Sequence, residues 1–315
     1  MCAALGIDTR LVITALEDEG EVTADLIRSL IQHPVVAPSN VEGSKLRVDW
    51  LTLLFHPRDQ AELVELALQW ASPTASDLYD ICCSAGGVTI CHQPTGERRS
   101  LLSISGSALA AIVGTHGTAN PRLAVVRAVV RNALHPLQVS RIDVAVDIRL
   151  AFRNVQPLPP KGQCFGFFRD GSGVQTIYYG PQGMPRRYRI YDRAAKEGWS
   201  SADGPCTRFE RELHPRNLEI HQIAALANPY SDLRLAILRS DGLPFEQSLL
   251  IEYARVVGLV ALQRALAPKA LRRVLAGLAK RQDAPTFPHP KDLYAACWPS
   301  LARRLLRRLC RKVRP

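Results

Sequence analysis

In the segment Ser140-Arg141-Ile142-Asp143-Val144-Ala145-Val146-Asp147-Ile148, polarity alternates from Arg141 onward except at Ala145. In an extended chain Ile142, Val144, Val146 and Ile148 fall on one side, and Arg141, Asp143 and Asp147 on the other. This reads as a strand with one face on a core and one face turned away from it. Two carboxylates and a guanidinium are costly to bury unpaired. The polar face is therefore either solvated or a platform for a divalent cation, because Mg²⁺ and Mn²⁺ favour oxygen ligands. The pattern alone leaves both readings open.

Around this strand the chain alternates between strand and helix signals. Val48 to Phe55, Val88 to His92, Leu101 to Ser105, Phe165 to Phe168, Thr176 to Tyr179, Arg187 to Tyr191 and Thr207 to Leu213 are rich in strand formers. Ala24 to Gln32, Asp59 to Trp70 and Pro121 to Asn132 have helical spacing. From Leu218 onward the pattern turns helical, with candidates at Leu218–Leu226, Phe245–Ala265, Pro268–Lys280 and Lys291–Lys312. Trp298-Pro299 is expected to kink or split the last of these. The expected class is α+β: a central, largely antiparallel sheet flanked by helices, followed by a basic C-terminal helical segment. The expected division is a lead-in at 1–45, a main domain at 46–260 and the basic segment at 261–315.

Charge is unevenly spread. From Arg264 to Pro315 there are 14 Lys or Arg and two acids, whereas residues 1–263 hold 26 bases and 27 acids. A near-neutral body with a strongly basic end favours a polyanionic partner. Arg303, Arg304, Arg307, Arg308 and Arg311 recur at helical spacing with leucines between them, as in a helix that follows phosphates. A solvated amphipathic helix and an interfacial membrane helix are the competing readings. At 47% hydrophobic and 22% charged residues the chain has enough apolar material for a core, which excludes wholesale disorder. No run approaches 18 apolar residues, and Met1 to Arg10 lacks a secretory pattern, so a cytoplasmic protein without a membrane association is expected.

Several chemistries are missing. There is no P-loop, Gly-x-Gly-x-x-Gly or Gly-x-Ser-x-Gly. The eight His never form His-x-His, and the eight Cys never form Cys-x-x-Cys, so reduced, mostly buried thiols are expected. Cys82, Cys83, Cys91 and His92 match no common zinc spacing. Carboxylates and tyrosines are what remain. In Thr207 to Leu213, Arg208, Glu210 and Glu212 share a face; Asp49 adds an acid between Val48 and Trp50. In the run from Arg186 to Arg193, Arg187, Arg189, Tyr191 and Arg193 share a side. Cations beside a phenol lower the cost of the phenolate and also grip phosphate. Such a tyrosine is suited to attack a phosphodiester, although spacing alone favours a tyrosine stacked on arginine at a surface.

The ordered set Val48-Asp49-Trp50-Leu51-Thr52, Ser140 to Asp147, Thr176 to Gly180, Tyr188 to Arg193 and Arg208 to Leu213 resembles the rolling-circle initiators of the replication initiation factor (Rep_trans) family, over roughly residues 45 to 260. The resemblance implies a metal-dependent nicking and joining enzyme. It places the nucleophile on Tyr191 and the metal acids on Asp49, Asp143 and Glu210, with Asp147 and Glu212 next. Arg189 and Arg141 would orient acids and phosphate, and Arg187 and Arg193 would contact DNA. The implied cofactor is Mg²⁺ or Mn²⁺. The implied partners are origin DNA, a host helicase and polymerase, and a second copy of the chain. In departure from the family pattern, Arg193 stands where Lys is usual, Lys196 stands near a common Glu, and Pro181 stands where Ser is usual. The alternative functional reading is a non-catalytic, sequence-specific DNA-binding regulator.

Overall fold

The computed structural model describes residues 45–93, 98–114, 120–157, 165–170, 173–179, 188–233, 235–237 and 289–310. The expected helices at 24–32, 245–265 and 268–280 lie outside these residues, as do Arg187 and Arg311.

The chain enters on β1 (Lys45–Phe55) and continues through α1 (Gln60–Trp70), β2 (Ile81–Ala85), β3 (Val88–His92) and β4 (Ser100–Ser105). Next come α2 (Gly106–Gly114), α3 (Pro121–Asn132), β5 (Gln138–Ile148), β6 (Val155–Pro157), β7 (Phe165–Asp170), β8 (Gly173–Tyr179) and β9 (Tyr188–Asp192). The short α4 (Arg193–Lys196), β10 (Thr207–Leu213), β11 (Leu218–Glu219), β12 (Leu235–Ile237) and α5 (Pro290–Leu309) complete it. The fold is α+β. Its main sheet runs β2-β3-β4-β1-β5-β10-β9-β8-β7 with antiparallel pairs throughout, β11 beside β5, and a separate β6–β12 pair.

β5 is the middle strand of the sheet, and its alternation fixes which face it buries. Ile142, Val144, Val146 and Ile148 are all buried and join one continuous core. That core is closed from one side by helices. Leu63 and Ala67 of α1, Ala108, Leu109 and Ile112 of α2, and Leu123, Val126 and Val129 of α3 all enter it. α1 starts where the Asp59 carboxylate accepts from the Glu62 amide at 3.0 Å. α3 starts where Asn120 does the same for Arg122 and Leu123, with Pro121 in the first turn. The two-residue β2–β3 turn uses Gly86 and Gly87 at φ +55° and +78°, as this kind of hairpin turn requires.

Four expectations change. β2 and α2 carried no sequence signal strong enough to be expected. Leu218–Leu226 is not a helix: a two-residue strand pairs with β5, then a 3₁₀ segment follows. α5 runs through Pro299 unbroken. The missing amide forfeits one hydrogen bond, but Trp298, Leu301, Ala302, Leu305 and Leu309 are buried on one stripe, and this packing outweighs the loss. Cys82 and Cys91 face each other across the β2–β3 hairpin and form a disulfide instead of two thiols, while Cys83 and Cys206 are buried and free.

Candidate functional site: a charged face on the central strands

The site is the face of the sheet opposite the helices. Register fixes its members. Arg208, Glu210 and Glu212 of β10 lie opposite Asp147, Ala145 and Asp143 of β5. Arg208 and Glu210 also lie opposite Tyr191 and Arg189 of β9. Directly opposite residues share a face, so all of these side chains project to one side. β1 brings Arg47 opposite Ala145 and Trp50 opposite Asp143, with an irregularity between Val48 and Trp50 that leaves Asp49 unpaired in the ladder. Such a bulge re-aims a side chain. The Asp49 carboxylate thereby reaches the Arg208 guanidinium at 2.5 Å. Gly106 makes room for this: a Cβ there would lie 2.8 Å from the Asp49 carbonyl oxygen and 2.9 Å from its Oδ1.

Arg208 is the hub. Its Nε and Nη2 donate to Asp147 at 2.7 and 3.2 Å while Nη1 donates to Asp49. Asp147 also takes the Arg47 guanidinium at 3.1 Å and a short contact from Arg193. Three guanidiniums thus surround one carboxylate that is 2% exposed. Arg193 is in turn held by Glu197 at 2.9 Å and stacks on Trp199, which Arg149 covers too.

Tyr191 lies on this face and is 4% exposed. It stands outside the apolar core. The Arg189 guanidinium and the Lys196 ammonium sit over its ring at 5.4 and 4.6 Å. Its hydroxyl donates to Glu210 at 3.5 Å, and Glu210 accepts from Arg189 at 2.5 Å. Burial pushes the phenol pKa up and the Glu210 charge adds to this; Arg208 and Arg189 pull it down. Burial likewise raises Asp49, which Arg208 opposes and the neighbouring charges of Glu210 and Asp147 reinforce.

The three acids expected to share a metal each meet a different guanidinium: Asp49 that of Arg208, Glu210 that of Arg189 and Asp143 that of Arg141. Asp49 and Glu210 are at the Tyr191 end. Asp143 lies opposite Glu212 of β10 and Trp50 of β1. There Arg141 holds it by two hydrogen bonds of 2.9 and 2.6 Å, reaches Glu212 at 3.2 Å and stacks on Trp50. Asp143 is raised by burial, against Arg141. Among the described residues no group of three or more His, Cys, Asp or Glu side chains is placed to hold a metal. Asp49 and Glu210 remain as a pair of hard oxygen donors whose mutual repulsion a cation would relieve. That fits Mg²⁺ or Mn²⁺, which use few carboxylates and fill the shell with water and phosphate oxygens.

The sequence gives Arg208 and Lys196 no role in the site and does not single out Arg47. Arg208 was legible only as a charge on the acid side of its strand; its meeting with Asp147, Asp49 and Tyr191 depends on strand order. Arg303, Arg304 and Arg307 are exposed and Arg308 is half-buried, all on α5. The helices of this protein are too short or too polar to cross a membrane among the described residues.

Taken together, these features define a charged sheet face with a tyrosine between guanidiniums and carboxylates, a class of site suited to phosphate chemistry. No family model matches the chain, and no curated protein matches it. Among solved structures the chain is similar to the rolling circle replication initiator protein from Geobacillus stearothermophilus, at 14% identity and a TM-score of 0.43, over 74% of this chain and 96% of that one. That likeness assigns no residue a role.

Proposed function

We propose that this protein is a replication initiator that nicks one strand of origin DNA through Tyr191 and later rejoins it. The observation that carries this reading is the placement of Tyr191: its hydroxyl is 3.5 Å from the Glu210 carboxylate, on a face shared with Arg208, Arg189 and Lys196. In the proposed step the phenolic oxygen attacks a backbone phosphorus. An O–P bond to tyrosine forms and the bond to the 3′ oxygen breaks. Glu210 takes the phenolic proton, and solvent supplies one to the departing 3′-hydroxyl. The 5′-phosphotyrosyl ester conserves the phosphodiester energy, so the reverse attack by a 3′-hydroxyl rejoins the strand without ATP.

Arg208 and Arg189 stabilise the phenolate and the charge that develops on the phosphoryl oxygens. Asp49 and Glu210 are the residues that would hold a divalent cation, whose chemistry is neutralisation of that same charge. Arg141, fixed by Asp143 and Glu212, would contact the strand further along the face. The exposed 3′ end would serve a polymerase, with a helicase extending the single strand, and inverted-repeat origins would suit a dimer.

A phenol that is buried with a raised pKa favours the second reading, a DNA-binding regulator in which Tyr191 is structural. The two separate on incubation with the supercoiled cognate replicon and Mn²⁺. The initiator yields open circles and a protein–DNA adduct mapping to Tyr191 by mass spectrometry. Tyr191→Phe abolishes both while origin binding persists. Origin binding with no adduct from the unaltered protein would leave the regulator.

A further inference from the structure

We infer that α3 and α5 together form a second DNA surface, on the helical side of the sheet, that grips the phosphate backbone of duplex DNA independently of the strand cut on the opposite face. This rests on DNA being the partner in the reading above. The two helices touch: Arg127 Nε of α3 donates to the Arg308 carbonyl of α5 at 2.9 Å. Arg127 and Arg131 are one turn apart on α3, as Arg304 and Arg308 are on α5, and Arg303 and Arg307 flank the latter row. Arg131, Arg303, Arg304 and Arg307 are exposed. α3 contains no acid, and the single acid of α5, Asp292, lies in its first turn, four helical turns from Arg307. The patch is thus two helices wide and positively charged, with exposed Glu62 of α1 at its α3 edge, where its carboxylate accepts from Asn132 at 2.7 Å.

The structure also chooses among polyanions. A helix lying on a membrane must present its apolar face to lipid. The apolar face of α5, from Leu293 through Trp298 to Leu309, is already buried against the protein. Grooves for single strands interleave cations with aromatic platforms. Here Tyr294 and Trp298 stack on each other inside, at 5.0 Å, and the outward positions are Lys291, Ala295, Ala296, Pro299, Ser300 and arginines. What remains is sequence-independent contact with a duplex backbone, which needs charge and nothing else.

The test is equilibrium binding of a fluorescent duplex oligonucleotide of arbitrary sequence to the full chain, across a salt series and without divalent cation. For the unaltered protein log K falls with log salt, and each arginine lost from a phosphate contact lowers the slope by about one. Arg131→Gln is expected to lower it by about one, and the triple change Arg303→Gln, Arg304→Gln and Arg307→Gln by up to about three, equally for unrelated duplexes. Arg131→Lys restores it, and circular dichroism controls for folding. An unchanged slope in Arg131→Gln overturns the two-helix surface. So does loss of binding to phosphatidylserine vesicles that matches or exceeds the loss on duplex, or an equal loss on single strands. Failure of Tyr191 to form an adduct while these slopes respond removes the nicking reading alone; an adduct with unresponsive slopes removes this surface alone.

Discussion

Arg208 joins two carboxylates that would otherwise repel. It is 5% exposed, and it balances Asp147 and Asp49 while facing a phenol. Burial works against its charge, but the hydrogen bond to Asp147 and the attraction of Asp49 more than offset this, and its pKa rises. Removing one partner of a buried pair strands the other, so Arg208→Ala is expected to cost about 3–5 kcal/mol, read from urea unfolding. Glu197 supplies a pH signature with a definite sign. The Arg193 hydrogen bond holds its carboxyl below the ordinary 4.5. A depressed folded pKa contributes stability that is present above 4.5 and lost as pH falls through the folded value. Glu197→Gln should therefore flatten the acid limb of a stability-versus-pH curve below 4.5 and leave its neutral limb parallel to the original. Asp49 works in the opposite sense: its raised pKa makes its charge a cost at neutral pH that protonation relieves. The alternation on β5 and the shared face of Arg189 and Tyr191 were legible from spacing alone. The partners of the β5 acids were not, because Asp143 and Asp147 share a face in any strand, and only Arg141 and Arg208 decide what each one meets.

Whole elements were legible wherever caps and period agreed. Asp59 and Pro121 announce α1 and α3, and the run from Gln138 to Ile148 announces β5. α2 escaped notice because it begins at Gly106 with no loop between it and the strand that ends at Ser105. That glycine has a packing reason. A methyl group on it would press on the Asp49 backbone at 2.8–2.9 Å, where neither side can yield easily. Gly106→Ala is expected to destabilise by about 1–3 kcal/mol in urea unfolding and to disturb the Asp49 bulge. Gly114, at the other end of the same helix, has nothing among the described residues within 4 Å of an added Cβ, and Gly114→Ala should be neutral or stabilise by up to about 1 kcal/mol. The contrast separates crowding from the general effect of replacing glycine. The bulge itself was invisible in the sequence, since nothing in Val48-Asp49-Trp50 distinguishes an unpaired residue from a paired one.

At the scale of the molecule, the sheet divides an apolar, helix-covered side from a charged one, and α5 belongs to the first as much as β5 does. The charge asymmetry of the sequence makes the C-terminal segment look like an appendage. Its arginines are indeed outward, but Leu293, Trp298, Ala302, Leu305 and Leu309 are each no more than 2% exposed and enter the same core as Val144 and Val146. Composition could not show this, because charge counts do not reveal which face of a helix is buried. Two changes to α5 should therefore behave in opposite ways. Replacing Arg303, Arg304 and Arg307 by Gln removes three exposed charges and should leave the thermal midpoint within a few degrees, since surface changes are usually within about 0.5 kcal/mol each. Trp298→Ala removes a buried ring stacked on Tyr294 and should cost about 3–5 kcal/mol. Trp298→Phe should cost far less. It keeps the ring and removes an indole N–H that is buried without a partner among the described residues. Calorimetry of the three variants decides the matter: if Trp298→Ala unfolds with the unaltered midpoint, α5 is an appendage after all and the charged side of the sheet stands without it.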